Sequence, residues 1–411
     1  MTGSAVQSAA PGTATAADRA WSLGAPPADF TLGHVRAVLP DRILEDARVA
    51  IRHGRIAEVA PHPAGRAADI DGAGLLCLPG VVDVHSDGLE REVLPRPGAR
   101  LPWEFALVSF EGKLRAAGVT TVFHGAAFEE GSSPSAPRSV AATRELCAAV
   151  AARGAGPVEH RLLHRLDVRC AHGLAALQGH LATFPGPALV SHEDHTPGQG
   201  QYADRTYYER YLAGTRGLSE DEARTHVDEL VVRRDGLLDI RDSALGWLGE
   251  RARAGVIRLA GHDPADAEEI DALVARGGAV AEFPTTLEAA RAAREHGLPV
   301  VAGAPNVLRG GSHAGNVSGA ELAAHGLLTA LASDYLPSGL IAAAFLLAGR
   351  GILPLPAAIG LVTAGAADAA GLGDRGRLAP GARADLVLVD AAGDWPVVRT
   401  AMRAESSAQL G

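Results

Sequence analysis

The sequence predicts an α/β protein: a (β/α)8 TIM barrel carrying a small β-sandwich domain built from both chain ends. Three observations lead there. Through the middle of the chain, short apolar runs alternate with alanine-rich helical stretches, the mark of parallel strands joined by crossover helices. Half-exposed β segments flank this repeat on either side. Polar residues collect where the strands end, and barrels of this kind carry their chemistry at the carboxyl ends of their strands.

Taken in order, residues 1–29 are rich in Ala, Ser, Thr, Pro and Gly, with Arg19 as their one basic residue. They read as a mobile tail, lacking the charged start and apolar centre of a signal peptide. Residues 30–78 and 372–411 read as the β-sandwich. The stretch 30–60 alternates like half-exposed strands around a His53-Gly54 turn, and 385–390 is strand-like again. Segments this short bury themselves by pairing with one another. Residues 79–371 read as the barrel, with strands at 76–84, 119–124, 161–167, 188–192, 256–260, 279–283, 299–302 and 328–333. Gly118, Gly255, Gly278 and Gly297 each precede a strand, as helix-terminating glycines do. A charged helical insertion runs over about 202–254; Ser219 and Glu222 have capping-box spacing, and Tyr202, Tyr207, Tyr208 and Tyr211 crowd its start. A lid or a subunit contact suits that composition, and so does ordinary helix packing.

Composition narrows the function. With 47% hydrophobic and 21% charged residues the chain has ample core, and no apolar run approaches the ~20 residues that span a bilayer. A cytoplasmic location is expected. Cys77, Cys147 and Cys170 are too scattered for a disulfide framework or a thiolate zinc site. A net charge of −10 disfavours nucleic acid, although metals and a few arginines can still receive an anionic substrate. The single lysine, Lys113, sits in a helical stretch ahead of a strand, so lysine chemistry is not expected.

The strand ends carry His85 and Asp87, His124, Asp167, His192 and His195, His262 with Asp263, and Asp334. On an extended backbone His85 and Asp87 project the same way. One His or Asp after a strand is commonly a turn or cap residue. Nitrogen and oxygen ligands recurring on several strands point instead to a metal centre, and three histidines with three carboxylates suit two cations that share a water. Asp334 is the candidate to take that water's proton, or else a plain ligand. Two glycine-rich loops, 195–201 with Gln199 and 306–316 with Arg309, Gly310, Gly311, Ser312, His313 and Asn316, offer donors for an anion such as phosphate. Arg96 could add a cation at the same mouth.

The segments VDVHSDGLEREVLPRPG, AAGVTTVFHG, DHTPGQGQY, GAPNVLRGGSHAGN and ASDYLPSGL resemble the amidohydrolase superfamily, over about residues 31–395. Within it they are similar to a branch of diphosphatases that act on a ribosyl 1-phosphonate 5-triphosphate in phosphonate use. The resemblance implies that His85, Asp87, His195 and His262 bind metal. It further implies that Asp167 takes the place of a bridging Glu, and that Asp334 is both ligand and base. Two divalent ions, Zn, Mn or Fe, would serve a water attacking the α-phosphorus, with pyrophosphate leaving. This sequence departs from the branch at Asp167, at the polar run Ser191–Asp194, and at Gly200, where an arginine is usual. A hydrolase or deaminase of the same scaffold acting on a cyclic amide or amidine is the alternative, and a silent barrel kept for binding is a third. The expected partners are a small phosphorylated substrate and a second copy of the chain in a dimer.

Overall fold

The computed structural model describes residues 28–130, 138–312 and 315–404. Two sheets organise them. The first strands are β1 (Phe30–Val38), β2 (Ile43–Arg52), β3 (Arg55–Pro61), β4 (Ile70–Asp71) and β5 (Leu76–Pro79). With the two last strands, β14 (Leu386–Asp390) and β15 (Val397–Met402), they form a seven-stranded mixed sheet. Its order is β15-β14-β5-β1-β2-β3, with β4 against β1. The two chain ends meet where β14 runs antiparallel to β5. Leu32, Val35, Ile51, Ile56, Leu386 and Leu388 bury a separate small core there. His53 and Gly54 both have positive φ, 52° and 68°, as a two-residue turn matched to strand twist requires.

The second sheet is the barrel. Its strands are β6 (Val81–Ser86), β7 (Val119–Phe128), β8 (Glu159–Asp167), β9 (Ala188–Glu193), β10 (Ile257–His262), β11 (Val280–Glu282), β12 (Val300–Gly303) and β13 (Ala330–Ala332). All neighbouring pairs along this order are parallel. The ring closes through a bridge between Ser86 and Asp334, where Asp87 N donates to Asp334 O at 2.5 Å and Asp334 N to His85 O at 3.0 Å. Val82, Val84, Phe123, Leu163, Leu189, Ala260, Val280, Val301, Ala330 and Ala332 fill the interior as one cluster, so the barrel is a packed core beneath its rim.

Two details differ from the pattern read in the sequence. The single strand expected at 76–84 is two strands in two sheets, because the chain changes sheet at Gly80. A Cβ on Gly80 would stand 2.3 Å from Thr120 Oγ1 and 2.7 Å from Asp385 Cβ, which leaves room for glycine alone. Of the four glycines expected to end helices, Gly118, Gly255 and Gly297 have the left-handed φ; beside Gly278 it is Gly277 that turns left-handed, at 83°.

Between β9 and β10 stand the helices Arg205–Arg216, Glu220–Asp235 and Leu238–Arg253. The second opens with the capping box, Ser219 Oγ accepting from Glu222 N while the Glu222 carboxylate accepts from Ser219 N. Among the described residues no helix is long and apolar enough to cross a membrane.

Candidate metal centre

Strand ends supply the site. Val82 and Val84 point into the barrel core, and strict alternation would turn His85 away from it. A register irregularity between Asp83 and Ser86 re-aims the end of β6, and His85 and Asp87 come together with His85 Nε2 at 3.7 Å from Asp87 Oδ1. Gly125 on β7 makes room for this, since a Cβ there would lie 2.3 Å from Asp87 Oδ1. Leu189 lines the barrel interior, so along β9 Ser191 and Glu193 share its face while His192 turns outward. His262 ends β10, Glu282 ends β11, and Asp334 follows β13.

These side chains meet. Three groups each hold one ligand atom per residue, all within 4.8 Å of one another: His85 with Asp87 and Asp334, Glu193 with His195 and His262, and His85 with His262 and Glu282. Glu282 stands behind the other two. Its oxygens lie 2.8 Å from His85 Nδ1 and 2.7 Å from His262 Nδ1, and Ser191 Oγ donates to it at 2.6 Å. With each Nδ1–H given to that carboxylate, Nε2 is the atom both rings would offer to a cation, which would take the place of any proton there. Around the second group, His195 Nε2 is 3.8 Å from both Glu193 Oε2 and Asp263 Oδ2, and His262 Nε2 is 3.5 Å from Asp263 Oδ2.

Whether the residues suit a metal is answered by four buried atoms. Asp87 Oδ1, Glu193 Oε1, His195 Nε2 and Asp263 Oδ2 have no hydrogen-bond partner among the described residues. Orphaned acceptors cost stability in an apolar setting unless something fills the space between them. A set of imidazole nitrogens and carboxylate oxygens, with no sulfur, fits one or two divalent cations. Arginine balances the remaining charge. Arg165 reaches Asp87 Oδ2 at 2.6 Å and Glu193 Oε2 at 2.9 Å, and Arg138 reaches Asp87 Oδ2 at 2.9 Å.

Protonation follows from these contacts. Burial opposes the charge of Asp87, but Arg165 and Arg138 outweigh it and hold the carboxyl well below its usual range. Burial likewise opposes ionisation of Glu282, and His85 and His262 overcome it. Burial lowers His195 to about 4, keeping the ring neutral. Burial, then the neighbouring Asp87 charge, raises Asp334 above the ordinary carboxylate value. Asp263, Phe283 and Asp334 all have left-handed φ, 54°, 55° and 57°. Such backbone is uncommon outside glycine, and an aromatic residue there is an outlier. Strain of this kind gathers at functional rims.

Several residues stand elsewhere than the sequence suggests. Asp167 is not in the cluster. It lies past the rim on β8 and takes two bonds from Arg234 of the helix Glu220–Asp235, at 2.6 and 2.9 Å, while Glu193 stands among the ligand atoms. His124 turns outward to His160 Nδ1 at 2.8 Å. With its amide turned so that both neighbours are satisfied, Gln199 donates to Asp194 Oδ2 at 3.2 Å and accepts from Arg169 at 2.9 Å. Arg309 ends the helix Ala304–Arg309, Gly310 caps it with φ 80°, and Arg309 donates to the Tyr335 hydroxyl at 3.5 Å. Gly311, Ser312 and Asn316 continue that loop, Arg96 is exposed on the loop after the helix Gly88–Val93, and His313 lies outside the described residues. Sequence reasoning missed Glu193, Glu282, Arg138 and Arg165. Strand alternation carried the signal for two of them: Glu193 shares a face with Leu189, and Arg165 with Leu163.

Comparison with known proteins agrees with this architecture. A model of the amidohydrolase family matches residues 249–408. The alpha-D-ribose 1-methylphosphonate 5-triphosphate diphosphatase of Escherichia coli (strain K12) is 35% identical over 364 residues, covering 87% of this chain and 94% of that protein. Among solved structures, an enamidase covers 92% of this chain and is itself covered to 95%, with a TM-score of 0.55 at 17% identity. N-acetyl-D-glucosamine-6-phosphate deacetylase from Mycobacterium smegmatis covers 92% and is covered to 99%, with a TM-score of 0.54 at 17% identity. At such identities these two structures show the shared fold alone.

Proposed function

Since the chain belongs to the amidohydrolase family, as a metal-dependent hydrolase, we propose that it splits the α–β phosphoanhydride of alpha-D-ribose 1-methylphosphonate 5-triphosphate, or of a close ribosyl triphosphate. The observation that carries this reading is the pair of ligand groups at the rim, with Arg165 between their carboxylates. In this reading His85, Asp87 and Asp334 would hold one divalent cation, Zn, Mn or Fe, and Glu193, His195 and His262 would hold a second. When bound, such cations supply Lewis acidity to phosphoryl oxygens and make a nearby water more acidic.

The rest of the chemistry belongs to the chain. Water oxygen bonds to the α-phosphorus, the bond from that phosphorus to the bridging oxygen breaks, and pyrophosphate carries the electron pair away. Asp334 accepts the water's proton. Arg309, Ser312 and Asn316, with the Gly310-Gly311 backbone, hold charge on the departing phosphates, with Gln199 and Arg96 as further candidate substrate contacts. Glu282 keeps both histidine rings turned for the task. The metal-loaded protein, incubated with ribosyl 5-triphosphates, should release pyrophosphate and a ribosyl 5-phosphate. Ammonia from cyclic amides or amidines, with no pyrophosphate from any ribosyl triphosphate, would replace this reading with the ring-opening or deaminating one.

A further inference from the structure

Among the described residues no carboxylate pairs with Arg91. Arg91 lies one helical turn beyond Asp87 in the helix Gly88–Val93, so it stands above that residue. The carboxylates beside it in sequence are taken: Glu90 by Arg138, and Glu92 by Lys113 and Ser109. Arg91 instead places its guanidinium over the ring of Tyr335, 4.7 Å from the centroid. Tyr335 follows Asp334 directly, and its hydroxyl accepts from Arg309 at 3.5 Å. A half-buried aromatic ring is therefore flanked by two exposed guanidiniums, beside the seam where β6 and β13 close the barrel.

We infer that Arg91 and Tyr335 form a clamp for a second anionic group of the substrate, a phosphate or phosphonate on the sugar remote from the reacting phosphoryl chain, while Arg309, bonded to the Tyr335 hydroxyl, stays with the departing phosphates. The inference rests on the ribosyl reading above and adds to it the residues that select a doubly anionic sugar. The ring holds the Arg91 guanidinium by cation–π contact, and a guanidinium fork matches the geometry of a phosphoryl group. Placement supports a specificity role: Arg91 sits a turn from one ligand-group residue, Asp87, and Tyr335 directly follows another, Asp334.

The test compares ribose 1,5-bisphosphate with ribose 5-phosphate, two probes that differ only in the anion at the sugar's first carbon. Calorimetry on the metal-loaded full chain should show the bisphosphate bound about tenfold tighter or more, the scale of one charge-assisted contact. Arg91→Ala should reduce that ratio to near one, and Arg91→Lys should restore part of it. A wild-type ratio in Arg91→Ala, or equal weakening of both ligands, overturns the clamp and leaves Arg91 a packing residue. The outcome does not depend on turnover. A protein that hydrolyses no ribosyl triphosphate yet keeps an Arg91-dependent ratio would sink the diphosphatase reading alone.

Discussion

At the scale of single residues, the centre makes sharp demands. Glu282 orients two imidazoles at once, so Glu282→Gln should weaken metal binding about 10- to 100-fold, read by chelator competition. Loss confined to a small change in Tm, with metal retained, would show the carboxylate to be only structural. Asp334→Asn should keep the fold and most of the metal while turnover falls about a hundred- to ten-thousandfold, as expected on loss of a general base. Glu193→Gln should lower metal content, and Asp167→Asn should leave it intact; the reverse result would return Asp167 to the centre. His85, Asp87, His262 and Asp334, which meet at the rim, stood out because each is a polar residue at or just past the end of an apolar strand run. Glu193 was hidden beside His192, a more conspicuous ligand type that faces the other way. Glu282 is an acid inside the short apolar run 279–283, and only its partners 197 and 20 residues away explain it.

At the scale of elements, repetition was plain and junctions were not. Eight apolar runs predicted eight barrel strands, but the change of sheet at Gly80 depends on Thr120 and Asp385, which no local pattern announces. The helical insertion was visible from its charge and capping box. Its attachment was not. Arg234 joins it to Asp167 and Asp194, and Arg169 also reaches Asp194 and Arg234 O. Arg234→Ala would leave both aspartates short of partners, at a cost on the order of 2 kcal/mol, less than for a fully buried pair because they keep some exposure. Thermal unfolding would show the loss, and limited proteolysis should cut first within residues 203–237. An unchanged proteolytic pattern would mean that apolar packing alone seats the insertion.

At the scale of the whole molecule, stability depends on pH through groups far from the rim. Burial holds His124, His160, His164 and His180 below the ordinary 6.5, His164 at about 4. Unfolded, these rings take up protons near pH 6.5; folded, they do so only at lower pH. For these rings the folded state therefore binds fewer protons in between, and their contribution to stability falls as pH drops from about 6.5 toward 4, while buried acids such as Asp83, raised to about 6 by burial, contribute in the opposite sense. Glu159 adds a loss at lower pH. Burial opposes its charge, but Arg375 and other arginines hold its pKa below the usual value, so its contribution disappears only as pH falls past the ordinary carboxylate range. In urea unfolding at pH 7.5, 6 and 5, His164→Phe should lose less stability on acidification than the parent protein does; the same pH dependence in both would refute the account. The seam between β6 and β13 has its own consequence for biosynthesis. Asp87 and Asp334 are drawn together by backbone bonds between the first and last staves of the ring. A nascent chain still short of Asp334 on the ribosome thus lacks the pocket that His85 begins, and metal capture there must wait until the circle is shut.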